Sequence, residues 1–228
     1  MQRIIIILLI GIVLSCNSKK EKTQIKENNA KASERLSGIE IVSELENLGY
    51  FNLTETSELE NAKKEMAEAS DVLEYFSGTT RGETLDFVDN RFFFIDCEEL
   101  FETDGLTHYL NKVKVTFEKL KLQLEISNEQ SEQTDDYWKH TIDLNNKQYI
   151  AFEDEFTIYD WDIAYINFIE MLNNQLEIQN NENRFYPIRT GNDGEIVLLT
   201  DKQFQFIKKH FPNDDEHPKT MANWKENN

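Results

Sequence analysis

Arg91-Phe92-Phe93-Phe94-Ile95-Asp96-Cys97 is the stretch on which the fold turns. Upstream of it apolar residues recur at helical spacing; from it onward, strand-like runs alternate with helices. Four consecutive apolar residues, three of them aromatic, suit an extended chain covered on both faces, so the segment reads as a strand near the centre of a sheet. Upstream, Leu59, Ala62, Met66, Ala69, Leu73 and Phe76 step by 3, 4, 3, 4 and 3, an amphipathic helix preceded by Ser57-x-x-Glu60 at capping-box spacing. Earlier still, Ile41/Val42, Leu45 and Leu48 share one face of a shorter helix that Gly49 stops. The longer stripe spans under three heptads and contains alanines, which favours packing on its own domain over a coiled coil.

Working downstream, Asp104-Gly105 opens a helix bearing Leu106, Tyr109, Leu110, Val113, Phe117 and Leu120. Residues 122–126 read as a short strand and 127–136 as an acidic polar loop. Tyr137–Leu144 and 148–152 flank Asn145-Asn146-Lys147, a hairpin signature. Trp161, Ala164, Tyr165, Phe168, Ile169, Leu172 and Leu176 then form one broad apolar helix face. Asp193-Gly194 marks a turn between two strand-like runs, and Thr200-x-x-Gln203 opens a last helix carrying Phe204, Ile207 and Phe211. The order predicts an α+β fold: an N-terminal helix pair, then a largely antiparallel sheet with helices packed on one face. The globular domain is expected over 36–211, with 212–228 a polar tail.

The N-terminal region has a different character. Arg3 precedes an apolar run over 4–14, about eleven residues where a membrane-spanning helix needs roughly 17–25. Such a run suits the hydrophobic region of a signal peptide. It ends in Val13-Leu14-Ser15-Cys16, which resembles the lipobox of bacterial lipoproteins. The resemblance covers the first sixteen of 228 residues. It implies that Cys16 receives a diacylglycerol, that residues 1–15 are removed, and that the new amino terminus is acylated. The protein would then be lipid-anchored in the bacterial envelope, with its globular part outside the cytoplasm; which membrane holds it stays open. Two or three acyl chains make an anchor effectively permanent, at about 0.8 kcal/mol per buried methylene. Residues 16–35 hold one large aliphatic side chain, Ile25, and read as a flexible tether.

The net charge is −19, and residues 36–228 alone carry −23, with 17 basic against 40 acidic residues. A field of this sign argues against nucleic acid as a partner and is compatible with a basic protein. The densest acidic runs supply the candidate binding residues Asp135, Asp136, Asp154, Glu155 and Asp160. Asp154/Glu155 and Asp160/Asp162 also flank the start of the best helix, where capping alone would explain them.

Catalytic constellations are sparse. The four histidines show no i, i+4 pair, no Cys-x-x-Cys occurs, and neither a Gly-x-Ser-x-Gly elbow nor a phosphate-binding glycine loop is present. Asp135, Asp136 and His140 are the one set that a divalent cation would suit, and solvated loop charges explain them equally well. With Cys16 lipidated, Cys97 has no partner for a disulfide, and beside Phe93 and Ile95 it reads as a buried, inert thiol. No cofactor or metal is expected. Two classes of function remain. One is a non-catalytic acidic binding domain, immunity- or inhibitor-like toward a basic protein. The other is an envelope-polymer hydrolase using paired carboxylates, which the lack of a recognisable nucleophile disfavours.

Overall fold

The computed structural model describes residues 35–72, 78–82, 86–102, 104–157, 160–211 and 217–227. Cys16, the tether over 17–34 and the end of the stripe at Leu73 and Phe76 lie outside the described residues. The chain divides after Arg35, and Leu36–Asn228 pack as one unit.

Seven helices of that unit are described: α1 (Gly38–Asn47), α2 (Leu59–Val72), α3 (Cys97–Phe101), α4 (Gly105–Lys119), α5 (Asp160–Ile178), α6 (Asp201–His210) and α7 (Met221–Asn227). The strands are β1 (Phe92–Ile95), β2 (Ile126–Gln133), β3 (Tyr137–Leu144), β4 (Lys147–Glu155), β5 (Asn183–Arg189) and β6 (Gly194–Thr200). Local chemistry sets several boundaries. Ser37 and Glu40 close a capping box on α1, and Gly49 ends that helix region in the left-handed conformation (φ 72°). Thr200 and Gln203 close the same box on α6. Asn145 and Asn146 both take positive φ, as the tight turn between β3 and β4 requires.

The fold is α+β and every strand pairing is antiparallel, but the strands divide between two sheets, β1-β6-β5 and β2-β3-β4. Helices also cover both faces of the first sheet rather than one. Phe92, Val197, Leu199 and Ile188 pack with Ile41, Leu45, Phe204 and Ile207 from α1 and α6. Phe93, Ile95, Ile196, Leu198 and Phe185 point the other way into Leu110, Val113, Phe117, Phe168 and Leu172 from α4 and α5. The aromatic strand β1 therefore lies at an edge, and β6 is central. Its doubly apolar pattern reports cover on two faces, not a central position.

A buried cluster ties this frame together. Arg91 is 2 % exposed and its Nε donates to Asp89 at 3.2 Å; its Nη1 donates to Leu198 O and to Gln203 Oε1, and its Nη2 to Tyr50 O. Thr54 Oγ1 donates to the same Asp89 carboxylate, and the guanidinium lies over the Tyr50 ring. Burial pushes the Asp89 carboxyl up while Arg91 opposes the shift.

Three further sequence expectations change. Residues 122–125 form no strand, and most of the expected acidic loop at 127–136 is the strand β2. Its Ile-Ser-Asn-Glu-Gln-Ser-Glu-Gln composition gives no alternation to read, because both of its faces are largely exposed. The expected polar tail contains α7, whose Trp224 is 4 % exposed and packs against Tyr165. One indole supplies more apolar area than the polar residues around it advertise.

Candidate functional site

The second sheet packs one face on the helices and turns the other to solvent. In β3, Trp138, Ile142 and Leu144 are buried core residues. Register pairs Trp138 with Gln133 and Asp154, and His140 with Ser131 and Phe152, so these residues share the inner face. Tyr137, Lys139 and Glu153 lie on the outer face, where Glu153 accepts from Lys139 Nζ and Tyr137 Oη, both at 2.8 Å. Those bonds hold the Glu153 carboxyl below the usual range, Lys139 being the larger cause.

Four of the five candidate binding residues meet at one end of this sheet. Asp135 and Asp136 form the β2–β3 turn, and Asp154 and Glu155 end β4; all four are exposed. Phe156 N donates to Asp136 O at 3.2 Å, and Glu155 stands opposite Tyr137. Beneath this end, Phe101 packs edge-on against Trp138, Phe152 and Phe156, with centroids at 4.4, 4.9 and 6.4 Å. A surface cleft of about 360 Å³ opens there, lined by Phe101, Glu102, Gln133 and Trp138.

Asp160 is not part of this group. It is 6 % exposed, and its Oδ1 accepts from Thr157 N and Oγ1 at 2.9 Å, which makes it a structural link at the start of α5. His140 also separates from Asp135 and Asp136. It sits inward, 3 % exposed, stacked on Trp138, with Nε2 2.8 Å from Glu129 Oε1. Among the described residues no group of three or more His, Cys, Asp or Glu side chains could hold a metal ion.

Spacing alone does not show the pairing of His140 with Glu129, since β2 carries no strand-like alternation. Thr107 Oγ1 donates to Glu129 Oε2 at 2.5 Å, so the carboxylate lies between hydroxyl and imidazole. A histidine base activating a hydroxyl needs the imidazole in the middle. The space beside His140, lined by Leu100, Phe101, Leu106, Ala151, Phe152 and Ala164, is about 10 Å³, room for no more than a water.

Cys97, the first residue of α3, is fully buried and lies 3.4 Å from Thr190 Oγ1, which donates to Asp162 at 3.0 Å. Burial pushes its thiol up to about 11, against the lowering effect of Thr190. That is the opposite of an activated nucleophile.

A second cleft, of about 440 Å³, lies between α5, β5 and the start of α7. Its polar lining is largely committed to the fold. Asn173 exchanges two hydrogen bonds with the Phe185 backbone, Asn174 accepts from Lys147 and Tyr149, and Glu170 pairs with Lys225 at 2.5 Å. The acidic sheet end is thus the better candidate surface.

The chain matches no protein-family model, no curated protein and no solved structure. Among the described residues, no helix is long and apolar enough to cross a membrane.

Proposed function

We propose that this protein is a lipid-anchored lipoprotein of a bacterial envelope whose acidic α+β unit binds a basic protein and catalyses no reaction. The observation that carries the binding reading is the meeting of Asp135, Asp136, Asp154 and Glu155 at one sheet end, above an aromatic-lined cleft. A negative field of this kind raises encounter rates with cationic surfaces and repels anionic ones. An immunity- or inhibitor-like role, in which the acidic end occupies the functional surface of a basic protein, is the concrete form of this reading. The anchor rests on the residues before Cys16.

Both halves are tested on the full chain. Metabolic labelling with a fatty-acid analogue marks the wild type and not Cys16→Ala; equal labelling of both overturns the anchor. For binding, an octapeptide of alternating Lys and Thr associates faster than its Glu–Thr counterpart, and its rate falls as salt shortens the Debye length from about 10 Å at 0.1 M toward 3 Å at 1 M. Equal binding of the two peptides, or a rate indifferent to salt, overturns the binding reading.

A further inference from the structure

The two edges of the second sheet are treated differently. The outer side of β4 is covered by α5, where Asn167 Nδ2 donates to Ala151 O and Gln175 and Asn174 reach Tyr149. The outer side of β2 is open over its second half. The Thr107–Glu129 bond ties the first half to α4; beyond it, among the described residues, no backbone group bonds across the edge, and Gln130 to Gln133 are exposed one after another.

The direction of each backbone group follows from the register. Thr134 N donates to Tyr137 O, which makes that pair a hydrogen-bonded one. Alternation then turns the backbone of Glu132 toward Lys139 in β3, and that of Ser131 and Gln133 outward. The neighbouring ladder agrees: Phe156 N donates to Asp136 O, so Trp138, which faces away from Gln133, bonds toward β4. Ser131 and Gln133 thus present N–H and C=O groups to solvent, a template for another strand.

Edges of this kind are normally blunted by lysine, proline or shortness. This one is eight residues long and contains neither lysine nor proline. Its one interruption is the irregularity between Ser127 and Gln130, where Asn128 takes φ 51°, and that leaves the half next to the Asp135–Asp136 turn regular. The edge carries Glu129 and Glu132 and runs into an acidic turn, so a second copy of the chain would bring like charges together. A lysine- or arginine-bearing segment meets the opposite sign. One set of its alternating side chains would fall on the inner face, where the cleft offers Trp138, Phe101 and the Glu102 carboxylate to a cation. The other set would fall on the outer face, which carries Glu132.

We propose that the outer edge of β2 receives an extended basic segment of a partner protein as an added strand, with Ser131 and Gln133 supplying the main-chain bonds. The proposal rests on the binding reading and specifies its geometry. Main-chain pairing gives such a complex affinity, and the side-chain pockets give it selectivity.

The test uses the full chain in zwitterionic micelles with the alternating Lys–Thr octapeptide as probe. Amide hydrogen exchange at Ser131 and Gln133 slows by about tenfold or more on binding, while Glu132, already bonded to β3, is unchanged. Gln133→Pro removes an outward donor without touching the β2–β3 ladder, so it weakens peptide binding about tenfold or more while leaving the melting temperature in place. If that variant does not fold, the wild-type exchange pattern decides alone. Salt-sensitive binding without protection at the two amides, or with full affinity in a folded Gln133→Pro, overturns strand addition and leaves the binding reading standing. Failure of the Lys–Thr peptide to outbind the Glu–Thr one overturns both. Concentration-dependent protection of the same amides without peptide assigns the edge to a second copy and overturns the proposal.

Discussion

Both sheets have three antiparallel strands, yet they are built for different ends. In β1-β6-β5, the central strand is buried from Gly194 to Leu199, and the buried charges in and beside the sheet are paired: Arg91 with Asp89, and Glu195 with Arg189 at 2.6 Å. In β2-β3-β4, six of the eight residues of β2 are exposed, and the carboxylates at the sheet end face solvent. The first sheet holds the helices; the second lends one face to the core and leaves an edge and an end exposed to solvent. Substitutions that are severe in one should be nearly silent in the other.

The sharpest way to break this contrast is Arg91→Ala. Removing the buried cation leaves the Asp89 carboxyl buried without its counter-charge and strips donors from Tyr50, Leu198 and Gln203. A loss of about 3–5 kcal/mol is expected in urea unfolding. A loss under about 1 kcal/mol would show that the cluster is not what holds the first sheet to α6 and the Tyr50–Leu53 turn.

Trp224→Ala comes next, with an expected loss of about 3 kcal/mol from the cavity left beside Tyr165. Near-neutral behaviour would return the C-terminal segment to the status of a loose tail.

Cys97 gives a graded effect with pH. The native thiol holds its proton to about 11, whereas an unfolded one releases it near 9.0. The unfolded state is therefore stabilised first as pH rises, and native stability falls between pH 9 and 11. Compared with Cys97→Ala, the wild type should lose up to about 1.4 kcal/mol more per pH unit in that window. Parallel pH profiles for the two proteins would contradict the buried, unactivated thiol.

The smallest effect belongs to the acidic end. Asp135→Asn with Asp136→Asn should change stability by less than about 0.5 kcal/mol, because both side chains are exposed. The same pair should slow association with the Lys–Thr peptide more than it speeds dissociation. A large loss of stability would show that the turn serves the fold rather than a partner.

Where the chain buries a periodic face, its structure was legible. The α5 stripe, buried from Ala164 to Leu176 although Trp161 at its start is 40 % exposed, the Thr200–Gln203 box and the Asn145-Asn146 turn each carry their signal within a few residues. The apolar run of β1 does not reveal its edge position, because a strand covered by helices on both faces carries the same run wherever it lies in the sheet. β2 was invisible for the opposite reason: an exposed strand has no buried face to impose alternation. The acidic turn and the end of β4 were picked out by charge density, and their meeting was not, since it depends on that unseen strand. Asp160 was selected by the same density although its carboxylate turns inward to Thr157.

The pairing of β1 with β6 has a kinetic side. Phe92 meets Val197 and Ile95 meets Gly194 across about a hundred positions of chain. Contacts of such long span form slowly, because a large loop must close before any of them is gained. Until β6 has been made, β1 has no strand beside it and the helices of both layers lack the surface they pack on. Synthesis thus outruns the completion of this frame, and the chain stays open until the residues of β6 have been added.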